Sequence, residues 1–390
     1  MQYFKKAALA AALAGAAFGA AAADVNVYGI VSTGLFYENV RHQDKSTFGV
    51  STDIQSSDQS RFGLKGREDL GNGWYAGFQL EAGFTPDDGA LKENGTIFNR
   101  VARVYVGNET LEVSAGRMPG FTIAAEPYSA YARLHANCNL TSLPALAPAD
   151  ITYQPGFLSN AVAFRTNAQK GFFVQGLYSN GDQSPTVNEE VDKDWSDARH
   201  VSQVALGWVG ERLRAGTVLS YEMPGTNGKA ERRDATQGIH FVVNWNFGGP
   251  ELSGVFYHGK NDWRIGPVPD MAKILGGANG VQAGTNVINA SEEGMTTNAL
   301  FISASYPMGQ HFFSGSVGAL KGEWKGWKGE SSNLKHDDGE AYLAGVMYRY
   351  HLSKRAFYYA AASYSAGHDL FGSIERLNRF FCSTGVTYRF

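Results

Sequence analysis

Period-two alternation in segment after segment, a short–long rhythm in the connections and an exportable N-terminus predict an all-β fold. The fold expected is a sixteen-stranded antiparallel transmembrane β-barrel with short periplasmic turns and long extracellular loops. Residues 60–84, SRFGLKGREDLGNGWYAGFQLEAGF, show the alternation. Read by twos, Arg61, Gly63, Lys65 and Arg67 share one face, and Phe62 and Leu64 the other. After a break at EDLGNG, Trp74, Ala76, Phe78, Leu80, Ala82 and Phe84 alternate with Tyr75, Gly77, Gln79, Glu81 and Gly83. This is the pattern of two strands joined by a tight turn. A soluble protein turns such an apolar face inward. A membrane barrel turns it out to lipid and lines its interior with the polar face.

The N-terminus places the chain outside the cytoplasm. Lys5 and Lys6 precede an Ala/Leu-rich stretch that ends in Ala21, Ala22 and Ala23. Positive flank, apolar core and small-residue end occur in the order of a secretory signal peptide, so residues 1–23 are expected to be removed before Asp24, leaving residues 24–390. That removal takes away two lysines and no acid, so the net charge of −3 becomes −5. A net negative chain disfavours nucleic acid as a partner. No run of 18 apolar residues follows the signal, so no transmembrane helix is predicted. Aromatics at 13%, 47 glycines and only 12 prolines suit many amphipathic strands.

Sixteen segments read as strands: 25–37, 59–67, 73–84, 97–107, 110–117, 159–166, 170–179, 199–208, 212–222, 236–247, 251–260, 297–306, 311–321, 339–350, 355–365 and 380–390. Ile239, Phe241, Val243, Trp245 and Phe247 form one apolar face, and Tyr342, Ala344, Val346, Tyr348 and Tyr350 another. Short connections (68–72, 108–109, 167–170, 209–211, 248–250, 307–310, 351–354) alternate with long ones (38–58, 85–96, 118–158, 180–198, 223–235, 261–296, 322–338, 366–379). An even strand count puts both chain ends on the periplasmic side. Aromatics at strand ends, as in Phe36-Tyr37, Trp74-Tyr75, Tyr348 with Tyr350, and Phe357-Tyr358-Tyr359, are read as interfacial girdles. By parity Phe62, Leu64, Trp74, Phe78 and Leu80 face lipid or a neighbouring subunit, and Arg61, Lys65, Gln79 and Glu81 face water inside.

These residues carry a resemblance. SRFGLKGREDLGNG at 60–73 followed by FQLE, YHLSKRAFYY at 350–359 and the ending GVTYRF resemble the trimeric general porins of Gram-negative bacteria, and most of all their betaproteobacterial and neisserial branch. The resemblance implies a homotrimer in outer-membrane lipid and lipopolysaccharide, and passive diffusion of small ions and hydrophilic solutes. It also implies assembly by the barrel-assembly machinery, with Phe390, and Tyr388 on the same face, as the signal. The sequence departs from the family at Ser32, where an acid is usual. It departs again at Ala102, where an arginine is frequent, and at Ala356, where a threonine follows Ser-Lys-Arg.

In that family the third long loop folds into the barrel and narrows it, and residues 118–158, rich in Ala and Pro, suit that role. Their charged groups are Glu126, Arg133, His135 and Asp150. Facing such a loop the family carries a ladder of arginines. Arg61 and Arg165 stand at two expected places, and Lys65 shares the face of Arg61. VARVYVG is apolar on both faces, so either Arg100 or Arg103 enters the pore: Arg100 if Tyr105 faces out, Arg103 if Val104 and Val106 do. A ring of Lys and Arg at a narrowing favours anions, so weak to moderate anion preference is expected. Glu68 and Asp69 are assigned to the turn.

Cys138 and Cys382 fall in the loop and on the outward face of the last strand, so no disulfide is expected. G-x-S-x-G, H-E-x-x-H, C-x-x-C and G-x-x-x-x-G-K-[ST] are absent from the sequence, and the nine histidines have no metal-ligand spacing. No enzyme activity, cofactor or metal is expected. The rival classes are a barrel hydrolase and a receptor or adhesin that binds through 261–296.

Overall fold

A computed structural model describes residues 25–41, 44–52, 59–92, 95–135, 151–181, 198–223, 234–262, 295–324, 338–368 and 377–390. Residues 1–24, where the signal peptide is expected, Cys138, Asp150 and nearly all of 261–296 lie outside them. The strands are β1 (Asn26–Val40), β2 (Lys45–Thr52), β3 (Arg61–Gly71), β4 (Trp74–Gly83), β5 (Val101–Gly107), β6 (Leu111–Pro119), β7 (Phe157–Thr166), β8 (Gly171–Ser179) and β9 (His200–Val209). They continue as β10 (Leu213–Met223), β11 (Thr236–Asn246), β12 (Glu251–Asp262), β13 (Met295–Met308), β14 (His311–Trp324), β15 (Asp338–His351), β16 (Ala356–His368) and β17 (Leu377–Arg389). Every pairing is antiparallel, and β1 pairs with β17 from Ile30–Arg389 to Val40–Arg379, which closes the sheet. Closure is what hydrocarbon demands, since an open edge would leave backbone groups unsatisfied at several kcal/mol each.

Two strand segments share one barrel position. The other edge of β1 pairs with β2 over Thr33–Val40 and with β3 over Asn26–Ile30. The seventeen segments therefore fill sixteen places. This corrects the reading of 38–58 as one long connection, because 45–52 turns back at once as a strand. The Ser60 hydroxyl stitches the break, accepting from Ser32 N at 3.0 Å and donating to Ser32 O at 3.2 Å.

The apolar face points outward all round. Val104 is 63% exposed and Val346 61%, while their neighbours Arg103 and Met347 are buried. The β3–β4 turn needs positive φ at Asn72 (52°) and Gly73 (77°), the Asn-Gly signature of a two-residue hairpin. Asp69 serves that turn, accepting from Gly71 N at 2.8 Å.

The girdle reading needs correction. Of the neighbouring aromatics only alternate members can face lipid: Tyr37, Trp74 and Tyr358 do, whereas Tyr75, Phe357 and Tyr359 are buried on the inner face. Phe36 also has inner-face parity, and its ring stacks on Phe381 at 6.0 Å.

Glycine and aromatic content have one joint explanation. Rings lie flat over glycines directly opposite on the next strand. Tyr105 faces Gly77, Phe78 faces Gly66, Phe164 faces Gly176 and Tyr359 faces Gly385. A Cβ at Gly77 would stand 2.4 Å from the Tyr105 ring, and one at Gly176 2.4 Å from Phe164.

Candidate functional site

After β6 the chain turns into the barrel rather than out of it. Phe121, Thr122, Tyr131, Leu134 and Tyr153 are fully buried there. The short helix α1 (Ala130–Leu134) starts at Ser129, whose hydroxyl accepts from Ala132 N at 3.0 Å, an N-cap. Apolar side chains of this segment pack on Phe173, Val201, Val218, Val242 and Phe301, which face inward from β8, β9, β10, β11 and β13.

Polar contacts fix the segment to the same wall. Gln203 Oε1 accepts from Phe121 N at 2.7 Å, and Gln175 Nε2 donates to Tyr128 O at 2.6 Å. Arg199 donates to Pro155 O at 3.0 Å and to both oxygens of Glu222 at 2.7 and 2.8 Å, and Tyr153 donates to that same carboxylate. His135 meets Ser303 at 3.3 Å, and burial pushes its pKa down to about 3, so the ring is neutral at physiological pH.

The basic side chains gather on β3–β7, around two carboxylates. Glu81 takes Arg100 Nε at 2.6 Å, Arg61 Nε at 3.5 Å and the Tyr28 hydroxyl at 3.0 Å. Glu112 takes Arg103 Nη1 at 2.9 Å, Arg165 Nη2 at 3.3 Å and the Tyr75 hydroxyl at 3.2 Å. Arg103 also donates to Ser114 at 2.6 Å, and Arg165 reaches the inserted segment at Pro127 O, 2.5 Å away.

Both candidates at the start of β5 turn inward, not one of them. Val104 and Val106 face out, which sends Arg103 in. Arg100 lies one residue before the strand begins, outside its alternation, and its guanidinium swings onto Glu81. Lys65 is exposed to the interior, 5.2 Å from the Tyr28 ring centroid.

On the inserted segment Glu126 is exposed, and Arg133 donates to Ala168 O at 2.5 Å with its guanidinium 4.0 Å from the Phe173 ring. Burial pushes Arg133 down to about 10, Arg165 adds to the shift and Glu126 opposes it, so Arg133 stays charged at neutral pH.

Sequence reasoning missed Glu112, the hub between Arg103 and Arg165. Its signal was present, because Leu111, Val113 and Ala115 face out and force Glu112 and Ser114 in. Arg349 and Arg379, buried on the inner faces of β15 and β17, were also missed.

A closed β-barrel with an apolar exterior, an inserted segment and a charged interior defines a class, the outer-membrane channel. The Gram-negative porin family matches residues 7–369, and the chain belongs to that family. An outer membrane porin of Bordetella pertussis is 26% identical over 99% of this chain and all of its own length. Outer membrane porin protein 32 of Delftia acidovorans is 41% identical over 104 residues, 26% of this chain and 28% of its own. Among solved structures, an anion-selective porin from Comamonas acidovorans superposes with a TM-score of 0.62 at 21% identity, covering 94% of this chain and 99% of that one. At that identity the likeness speaks for the fold. The chain is an outer-membrane porin.

Proposed function

We propose that this porin works as a homotrimer of weakly anion-selective channels for small hydrophilic solutes. One observation carries the selectivity: Arg61, Lys65, Arg100, Arg103 and Arg165 share one inner wall, where the carboxylates seen paired with the arginines among the described residues are Glu81 and Glu112. A diffusing ion senses charge within roughly 8 Å at physiological salt. A ring of fixed cations at close quarters therefore outweighs the net charge of distant loops, and low-dielectric walls strengthen its field. The anion-selective relative from Comamonas acidovorans agrees in sign. Reversal potentials in a KCl gradient should show chloride preferred over potassium. Arg61→Glu should move them toward cations more than any single loop substitution outside 118–158. A wild-type channel that prefers potassium would overturn the reading.

Trimer formation is supported by the apolar outer faces of β1, β2 and β17, where Val27, Leu35, Phe48 and Tyr388 are 64, 47, 70 and 47% exposed. Unheated samples on SDS gels should run as a trimer and collapse to the monomer on boiling. Large ohmic steps in threes in planar bilayers separate the channel from a barrel hydrolase, which conducts little.

Export by a cleaved leader follows from Lys5, Lys6 and Ala21–Ala23. N-terminal sequencing of the outer-membrane form should begin at or within two residues of Asp24. A start at Met1 would exclude cleavage.

A further inference from the structure

The lipid-facing wall is not evenly filled. Cross-strand register sets Leu252, Ala304, Gly315, Val346 and Ala362 side by side on β12 to β16, on the outward face. One rung nearer the short turns stand Tyr306, Phe313, Tyr348 and Ala360. Large side chains alternate here with Ala and Gly, and the small ones leave a recess of about 930 Å³ on the outer surface. Gly315 differs from the glycines that lie under rings. Its rung neighbours are Ala304 and Val346, and a Cβ there would meet nothing nearer than 3.6 Å, with no ring from across the sheet within 4 Å.

The recess opens into the membrane, so what enters it is hydrocarbon. Beyond its lower edge lies the turn between β15 and β16. There Ser353 Oγ accepts from Arg355 N at 3.1 Å and Ala356 N at 3.0 Å, which fixes the turn and leaves Lys354 and Arg355 exposed. Neither cation is ion-paired among the described residues. Ala360 and Ala362 follow Arg355 by five and seven residues along β16. That is about 17–23 Å along the strand, and about 12–16 Å of depth at a tilt of about 45°. One leaflet is half of a hydrocarbon core about 30 Å thick. Cations and recess therefore suit the two ends of one lipid, its phosphate and its acyl chain.

We infer that the outer wall of β12–β16 holds a site for one anionic glycerophospholipid of the periplasmic leaflet. An acyl chain lies in the recess over Ala304, Gly315 and Ala362, walled by Tyr306, Phe313 and Val346, and Lys354 and Arg355 meet the phosphate. The site rests on the barrel's place in the membrane and is independent of what the lumen conducts. It is also separate from the proposed subunit contact on β1, β2 and β17.

Native mass spectrometry of the detergent-solubilised protein tests the site, with palmitoyl-oleoyl phosphatidylglycerol and with palmitoyl-oleoyl glycerol, which has the same chains and no phosphate. Wild-type protein should retain one phosphatidylglycerol per chain and hold the uncharged lipid roughly tenfold less well. Lys354→Gln with Arg355→Gln, at an exposed turn, should cut phosphatidylglycerol retention roughly tenfold and leave the uncharged lipid unaffected. Ala304→Leu with Gly315→Leu fills the recess and should abolish retention of both. If that variant does not assemble, Ala362→Leu narrows the recess from its other end and should weaken both. Phosphatidylglycerol retention equal in wild type and all variants would overturn the site. So would loss of the trimer band in the filled variant with lipid retention intact, because the recess would then be a contact with a second copy. Wild-type conductance steps in planar bilayers, recorded alongside, report the channel separately, so a failed lipid site leaves the porin reading standing.

Discussion

Deletion of Phe390 should cut the amount of assembled barrel roughly tenfold or more, from the loss of hydrogen bonds that hydrocarbon does not replace. The terminal residue is part of the barrel seam. Phe390 N donates to Gly29 O at 3.0 Å, and Gly29 N donates to Phe390 O at 3.1 Å. Its ring sits over Gly29, where a Cβ would lie 2.3 Å from the Phe390 Cζ. Deletion removes both bonds and the ring at the point where the first strand meets the last. The heat-modifiable band in outer-membrane fractions measures the effect, and periplasmic levels report secretion separately. Wild-type amounts of folded protein after deletion would show that the seam closes without this residue.

Removing the Glu112 carboxylate should be the most damaging single change inside the barrel. Its side chain is 4% exposed and holds Arg103 and Arg165 together. Glu112→Leu leaves two confined guanidiniums facing each other, and breaking a buried pair in this way costs about 3–5 kcal/mol. The urea midpoint of the refolded barrel should drop accordingly. Adding Arg103→Met should recover part of the loss, because the repulsion then has one member. A double-mutant cycle measures that coupling. Glu112→Gln keeps the volume and should move the reversal potential further toward anions. Stability equal to wild type in Glu112→Leu would show that water screens the arginines and that the carboxylate is no hub.

Most of the barrel was legible because alternation is a local signal. The sixteen expected segments match observed strands within a few residues, since each carries its own outward set, as in Val204, Leu206 and Trp208 on β9. β2 escaped because KSTFGVST offers only Phe48 and Val50 as an outward set, and polar residues on both faces read as loop.

Arg61 and Lys65 were legible by the same parity, and Arg165 by its place in the porin resemblance. Arg100 was not, because it precedes its strand and obeys no alternation. The attachment of the inserted segment was illegible for another reason. Its partners Gln175, Gln203 and Glu222 lie on β8, β9 and β10, and nothing local in those strands says what they will meet across the lumen.

The rings that cover glycines carry a consequence for how the barrel is made. Alternation rejects a strand that docks one residue out of place, because every apolar side chain would then face water. It does not reject a slip of two, which returns each side chain to its proper face. The ring–glycine pairs supply that second test. Slipped by two, Tyr105 would meet Tyr75 or Gln79 in place of Gly77, and Phe164 would meet Val174 or Tyr178 in place of Gly176. A side chain would then stand where the ring must lie. Glycine and aromatic content, a matter of composition in the unfolded chain, becomes proofreading of strand order and offset as the barrel zips together in the membrane.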